Sequence, residues 1–188
     1  MKRYFIPLFV LFIACTNQSI DHDQQIYGLV INQVAYPVPP PPPPSTSTED
    51  VQLMGASIID SIRSVPMKIA VFPYKIKFSL KDENDKIKAD SLVDYSESKI
   101  PVDFDRLIAR ENILLELLSG EQNNLSKIYT IYDGLLKVSD IQYNKENTKA
   151  IILVSFSRGK LSGSLIQFYL EKENDQWKII SSKTLLVS

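Results

Sequence analysis

Histidine and cysteine are almost missing from this chain. Its 188 residues hold one of each, His22 and Cys15, both near the start. A single cysteine excludes an intrachain disulfide. Residues 49–188, read as the folded domain, contain neither residue type, which removes the commonest general base near neutral pH and the usual thiol nucleophile. The same absence leaves no ordinary ligand set for zinc or haem, and neither a metal nor a cofactor is expected. Charge of one sign is lacking too: 21 basic residues face 22 acidic ones, for a formal net charge of −1. No basic field exists to hold nucleic acid. Long apolar runs are also absent. The longest, residues 4–14, is too short for a bilayer, which needs about 20 apolar residues.

Hydrophobic residues make up 44% of the chain, enough for a core. The clearest pattern is C-terminal. Residues 148–188 divide into three β-rich runs separated by short polar turns, which predicts an antiparallel meander. The first run is apolar at every position from Ala150 to Val154, as in a central strand covered on both faces. In the second, Ile166, Phe168 and Leu170 alternate with Gln167 and Glu171, as in a strand with one face on the core. Gly159 and Gly163 are read as permitting the intervening turn.

Upstream the pattern is mixed. Ile26, Val30 and Val34 recur at helical spacing, so a short amphipathic helix is expected over 24–35, weakened by Gly28. It falls within a tether, 15–48, that also holds six consecutive prolines at 39–44. Such a run adopts polyproline II, a stiff spacer of about 3.1 Å per residue. Residues 16–45 are therefore expected to be dispensable for folding. A helix is predicted from near Thr46, where Thr46 and Glu49 have capping-box spacing, with Val51, Met54, Ile58, Ile59 and Ile62 as its stripe. Residues 67–80 read as extended, with Pro73 marking an edge or bulge. Residues 81–98 read as a charged loop. Residues 103–119 read as the longest helix, capped by Asp103 or Asp105 and burying Phe104, Leu107, Ile108, Leu114, Leu115 and Leu118 over the central strand. Residues 127–143 read as extended, interrupted at Asp133-Gly134. No internal repeat is visible.

Residues able to carry chemistry are few. Asp82-Glu83-Asn84-Asp85 has the acidity of a calcium loop but lacks its glycine and closing glutamate, and reads as a solvated tip. Glu171, Glu173 and Asp175 flank another tip. Ser96-Glu97-Ser98-Lys99 has the Ser-x-x-Lys spacing of acyl-serine enzymes without the companion Lys-Thr-Gly. Asn124-Leu125-Ser126 has glycosylation-acceptor spacing. Trp177, Tyr129, Tyr132, Tyr143 and Tyr169 could line a pocket, though such aromatics more often fill cores. No catalytic residue is assigned.

Lys2 and Arg3 precede the apolar run, which ends in Phe12-Ile13-Ala14-Cys15. This resembles the signal peptide and lipobox of bacterial lipoproteins, with Phe12 where leucine is usual. The resemblance implies cleavage after residue 14, acylation of Cys15, and a lipid-anchored protein of the cell envelope. Thr16 stands where an inner-membrane-retention aspartate would lie, which favours the outer membrane. A second resemblance covers the last 40 residues or so. Lys149-Ala150-Ile151, the glycines around Leu161, and Leu170-Glu171-Lys172 through Trp177-Lys178-Ile179 resemble the endings of small envelope lipoproteins of unassigned function. It implies an α+β domain in which one long and one or two shorter helices pack on a curved antiparallel sheet, as in cystatin or NTF2 shapes. Ser157 and Ser162 stand where some of those proteins have cysteines, so no cross-link carries over. The expectation is a lipid-anchored, non-catalytic binding or scaffold module. Its partners are the membrane, through the lipid, and a protein, with no nucleic acid. The rivals are an inhibitor or immunity protein masking an envelope enzyme, and a small hydrolase using carboxylates.

Overall fold

The computed structural model describes residues 21–36, 64–80, 87–91, 93–119 and 125–187. The signal peptide, Cys15, the proline run, the helix expected from Thr46, the Asp82–Asp85 tip and Asn124 lie outside the described residues. What is described is a mixed α+β fold built on a curved, unclosed sheet, with two helices. The strands are β1 (Met67–Val71), β2 (Tyr74–Leu80), β3 (Val93–Pro101), β4 (Ile113–Leu117), β5 (Gly134–Val138), β6 (Gln142–Tyr143), β7 (Lys149–Gly159), β8 (Ser162–Glu173) and β9 (Gln176–Val187). The helices are α1 (His22–Val34) and α2 (Leu125–Ile131). Seven strands form the main sheet in the order β4-β1-β5-β7-β8-β9, with β6 also on β7; β2 and β3 form a separate hairpin.

The meander is present as expected. β7, β8 and β9 pair antiparallel over their length. The β8–β9 turn places Asn174 and Asp175 at φ 49° and 62°, the left-handed pair that a two-residue hairpin turn requires and that Asn and Asp tolerate. No described glycine has positive φ, so the β7–β8 turn does not use Gly159 or Gly163 in that way. β7 is central. Its Ala150, Ile152 and Val154 face one core cluster and its Ile151 and Leu153 another, all fully buried. β8 is also covered on both faces, so Gln167, expected on an exposed face, is 2% exposed. Its Nε2 donates to the carbonyl of Ser91 at 2.9 Å.

The cover on the first face is not the helix expected at 103–119. Only Phe104–Arg106 is helical there, as one 3-10 turn. Residues 113–117 form β4 instead, parallel to β1. The Met67 amide donates to the Asn112 carbonyl and the Leu118 amide to the Val71 carbonyl. The apolar run Ile113-Leu114-Leu115 suits either period, and β4 satisfies the outer backbone groups of β1 that a helix would leave unpaired. Leu114 and Ile108, expected in the buried stripe, are exposed. The sheet is consequently mixed rather than antiparallel, because β1 is parallel to both β4 and β5. Two further expectations fail. Residues 93–98, read as loop, belong to β3. Residues 127–131, read as extended, lie in α2, where Ile128 packs against Ala70, Leu118 and Leu135.

The cover over the first face is α1. Asp21 caps it, with Oδ1 accepting from the amides of Asp23 (3.0 Å) and Gln24 (3.4 Å), as an N-cap carboxylate should. Ile26, Val30 and Ile31 are fully buried and Tyr27 and Val34 nearly so. Each fully buried aliphatic contributes about 1.5–3 kcal/mol. The helix packs over β7 and β9 and against the 3-10 turn. The short helix expected over 24–35 is thus present but is part of the core, and for these residues the expectation of dispensability is corrected. His22, expected in the tether, meets the Trp177 ring edge-on at 6.3 Å.

Candidate functional site

The two faces of the sheet are covered differently. Over the first, α1 forms one cover. Over the second, α2 packs at the β1–β5 end, and the β2–β3 hairpin packs over Ile151, Leu153, Leu165 and Tyr169. A groove of about 580 Å³ lies between the hairpin and the sheet, with Phe72 on the side toward α2, within the few hundred to 1,000 Å³ usual for ligand sites.

Strand register builds its floor. Lys137 of β5 is opposite Ser155 of β7, Ser155 opposite Leu165 of β8, and Leu165 opposite Leu186 of β9. All four line the groove, so the floor is a single cross-strand row. Phe72, which packs against the α2 cluster, and Ile76, which packs against the hairpin cluster, form walls. Tyr74 and Tyr95, both more than 40% exposed, stand at the opening. Phe72 and Tyr74 meet edge-to-face at 6.0 Å.

Three lysines and one glutamate line the same groove: Lys75, Lys99, Lys137 and Glu97. Lys75 is held by Asp140, Nζ to Oδ1 2.5 Å. Lys137 lies over the Phe72 ring at 4.3 Å. It meets Glu97 Oε1 at 3.4 Å, and that Glu97 side chain is 91% exposed, so the pairing is of the weak, screened kind.

The Ser-x-x-Lys stretch lies on this wall, but as part of β3. Three-residue spacing on a strand sends Ser96 and Lys99 to opposite faces, which does not make a nucleophile and its base. The Ser98 hydroxyl donates to the Lys75 carbonyl at 2.9 Å. Trp177 is buried in the core beside Tyr143, and Tyr169 is buried with its hydroxyl bonded to Glu171. Tyr129 bonds Ser157 at 2.6 Å, and Tyr132 bonds Glu116 at 2.9 Å. None of these five aromatics lines the groove. Asp103 pairs with Arg106 at 3.0 Å without capping through its side chain, and Asp105 accepts from Gln24 Nε2 through its carbonyl. Glu173 pairs with Lys178 at 2.5 Å and Asp175 with Lys172 at 3.1 Å.

The remaining polar clusters staple elements together. Asp23 accepts from the Tyr143 hydroxyl at 2.5 Å and pairs with Arg106, tying α1 to β6 and the 3-10 turn. Burial, then this bond to Asp23, pushes the Tyr143 hydroxyl well above its ordinary pKa. Burial, then the charge of Asp140, does the same to Tyr27, whose hydroxyl donates to the Ser139 carbonyl at 3.0 Å. Among the described residues two carboxylates are displaced, both downward. Lys68, then Tyr132, lowers Glu116; Tyr169, then Lys149, lowers Glu171. Neither lines the groove. A second cavity, about 380 Å³, lies beside Phe156 and Arg158. Its cation is engaged, since Arg158 donates to the Tyr36 carbonyl and lies over the Tyr36 ring.

Among the described residues, no group of three or more His, Cys, Asp or Glu gathers as metal ligands, and no helix is long and apolar enough to cross a membrane. Compared with known families, characterised proteins and solved structures, the chain matches none.

Proposed function

We propose that this chain is a lipid-anchored protein of the cell envelope, attached through Cys15, whose folded body binds an apolar ligand in the groove between the hairpin and the sheet without chemical change. The observation that carries the binding reading is the four-residue row from Lys137 to Leu186 beneath aromatic walls. The displaced carboxylates, Glu116 and Glu171, lie away from it and are lowered, Glu116 by Lys68 and then Tyr132 and Glu171 by Tyr169 and then Lys149, so neither is poised as a general acid in the way burial would make it. A helix laid on a curved sheet also supports the cystatin or NTF2 kind of shape. The anchor reading rests on Phe12-Ile13-Ala14-Cys15 after a short apolar run.

Two measurements test this. Intact mass of the native protein should show lipid on an N-terminal Cys15; a mature chain that keeps residues before it overturns the anchor. Titration of the Cys15→Ser chain, which needs no detergent, with the uncharged dye N-phenylnaphthylamine should saturate at one site. Leu165→Glu should abolish that site. Unsaturable binding, or binding indifferent to this change in a folded variant, overturns the groove.

A second reading has its own support. β9 is a 12-residue edge strand, and its Ile180, Leu186 and Val187 are exposed. An unpaired edge can take a partner's strand, as an inhibitor or immunity protein would use it.

A further inference from the structure

Resting on that groove reading, we propose that the ligand is an anionic single-chain amphiphile, a long-chain carboxylate, with its hydrocarbon along the cross-strand row and its headgroup on Lys137. Three observations lead there.

The first is charge. Lys75, Lys99 and Lys137 line the groove against Glu97 alone, a local excess of positive charge on a chain whose formal net charge is −1. Lys137 occupies the β5 end of the row, and its present partner is the exposed Glu97 carboxylate at 3.4 Å. A ligand carboxylate settling beside Phe72 would take over that contact in a less hydrated place, where a charge-assisted bond is stronger. Glu97 then swings into water at little cost. Lys75 is less free, being held by Asp140 at 2.5 Å.

The second is length. From Lys137 to Leu186 the row crosses three strand spacings of about 4.8 Å, or roughly 14 Å. It passes Ser155 and Leu165 and ends on Leu186, which is 53% exposed. The charged group is thus at one end and the apolar surface at the other.

The third separates a hydrocarbon chain from a peptide. The floor is the face of a sheet, and the backbone ladders of β5, β7 and β8 are already paired beneath it. A peptide laid there would bury amides and carbonyls without main-chain partners, which costs more than burying methylenes. A hydrocarbon chain has no such groups.

The test uses the Cys15→Ser chain and displacement of N-phenylnaphthylamine by dodecanoate, dodecanol and dodecyltrimethylammonium below their aggregation concentrations. Dodecanoate should bind about tenfold more tightly than dodecanol, equivalent to about 1.4 kcal/mol. The cationic probe should bind most weakly. In Lys137→Gln the preference for dodecanoate over dodecanol, each referred to that variant's own dye affinity, should shrink to under about threefold; Lys137→Arg should keep it. At about 1 M salt, where screening acts within about 3 Å, the preference should fall. Dye that fails to bind sinks the groove itself. Dye that binds, with dodecanoate no tighter than dodecanol, leaves the groove and overturns the anionic ligand. A preference that survives Lys137→Gln overturns the headgroup position. An acidic peptide of alternating Leu and Glu that displaces dye better than dodecanoate overturns the choice of amphiphile.

Discussion

The two faces of the main sheet solve the same burial problem in different ways. On one, α1 lies over β7 and β9 and seals Ile152, Val154, Phe168 and Leu170 beneath Ile26, Val30 and Ile31. On the other, α2 and the β2–β3 hairpin each cover part of the surface, and the row from Lys137 to Leu186 is left lining a groove beside the hairpin. A single cover ties most of a face's buried contacts to one element, so its loss is global. A divided cover leaves a strip of sheet that can hold something else. The same strands therefore seal a core on one side and, on the proposed reading, leave room for a ligand on the other.

The sharpest way to break this comparison is to remove the single cover. A chain beginning after residue 36 should lose cooperative melting, since it exposes the fully buried Ile26, Val30 and Ile31 contacts at about 1.5–3 kcal/mol each in a fold whose total stability is about 5–15 kcal/mol. A truncated chain that melts cooperatively near the full-length midpoint would show the face to be sealed without α1. Next, Phe168→Ala, at a site 1% exposed, should cost about 3–5 kcal/mol in urea melts.

Gly134→Ala probes the packing of the sealed face, where Phe156 belongs to the core under α1. A Cβ at Gly134 would lie 2.4 Å from the Phe156 ring, so the ring must move within a packed cluster. Overpacking of this kind costs about 1–3 kcal/mol, and Phe156→Leu in the same chain should restore part of it. No restoration would mean that the strain lies elsewhere. Raised pH gives a gentler probe. Tyr27 and Tyr143 both have folded pKa values above the ordinary value near 10, so the stability they confer is complete below about pH 10 and is lost as pH rises through the folded values. Melting midpoints should fall above about pH 10, and less steeply in Tyr27→Phe. An equal fall in that variant would discount Tyr27. The smallest effect belongs to the open face: Leu186→Ala should change stability by under about 0.5 kcal/mol. A loss as large as that of Phe168→Ala would erase the distinction between the faces.

Much of the sheet could be read from the sequence, because β7, β8 and β9 are consecutive and their alternation is local. The spacing of Ile26, Val30 and Val34 likewise marked α1. Its burial was not visible, since what it covers lies more than 100 residues away. The errors share a cause. Ile113 to Leu117 and Ile128 to Tyr132 are short apolar runs that fit either period, and their neighbours decided between them. β1 offered an open edge to the first. Ala70, Leu118 and Leu135 offered the second a surface for one helical side. The groove was harder still. Of its lining, Ser96 to Lys99 carry a local pattern, and that pattern points to the wrong chemistry, while Lys137 and Leu186 fall on one row solely through the register of four strands. The one local hint was the alternation of Lys75 and Lys77 with Ile76 and Phe78, which marks a hairpin with an apolar underside.

The seat of α1 also sets an order of events in time. Tyr27 bonds Ser139 across 112 positions of chain, Asp23 bonds Tyr143 across 120, and His22 approaches Lys172 across 150. The helix is thus made early and its seat late. At roughly 5–20 residues per second, synthesis leaves roughly 8–30 s between the two. A lone helix of 13 residues is marginal in water, so during that interval Ile26, Val30 and Ile31 have nothing to rest on. Folding of this chain must wait for its last strands, and whatever holds the nascent chain soluble until then acts first on residues 22–34.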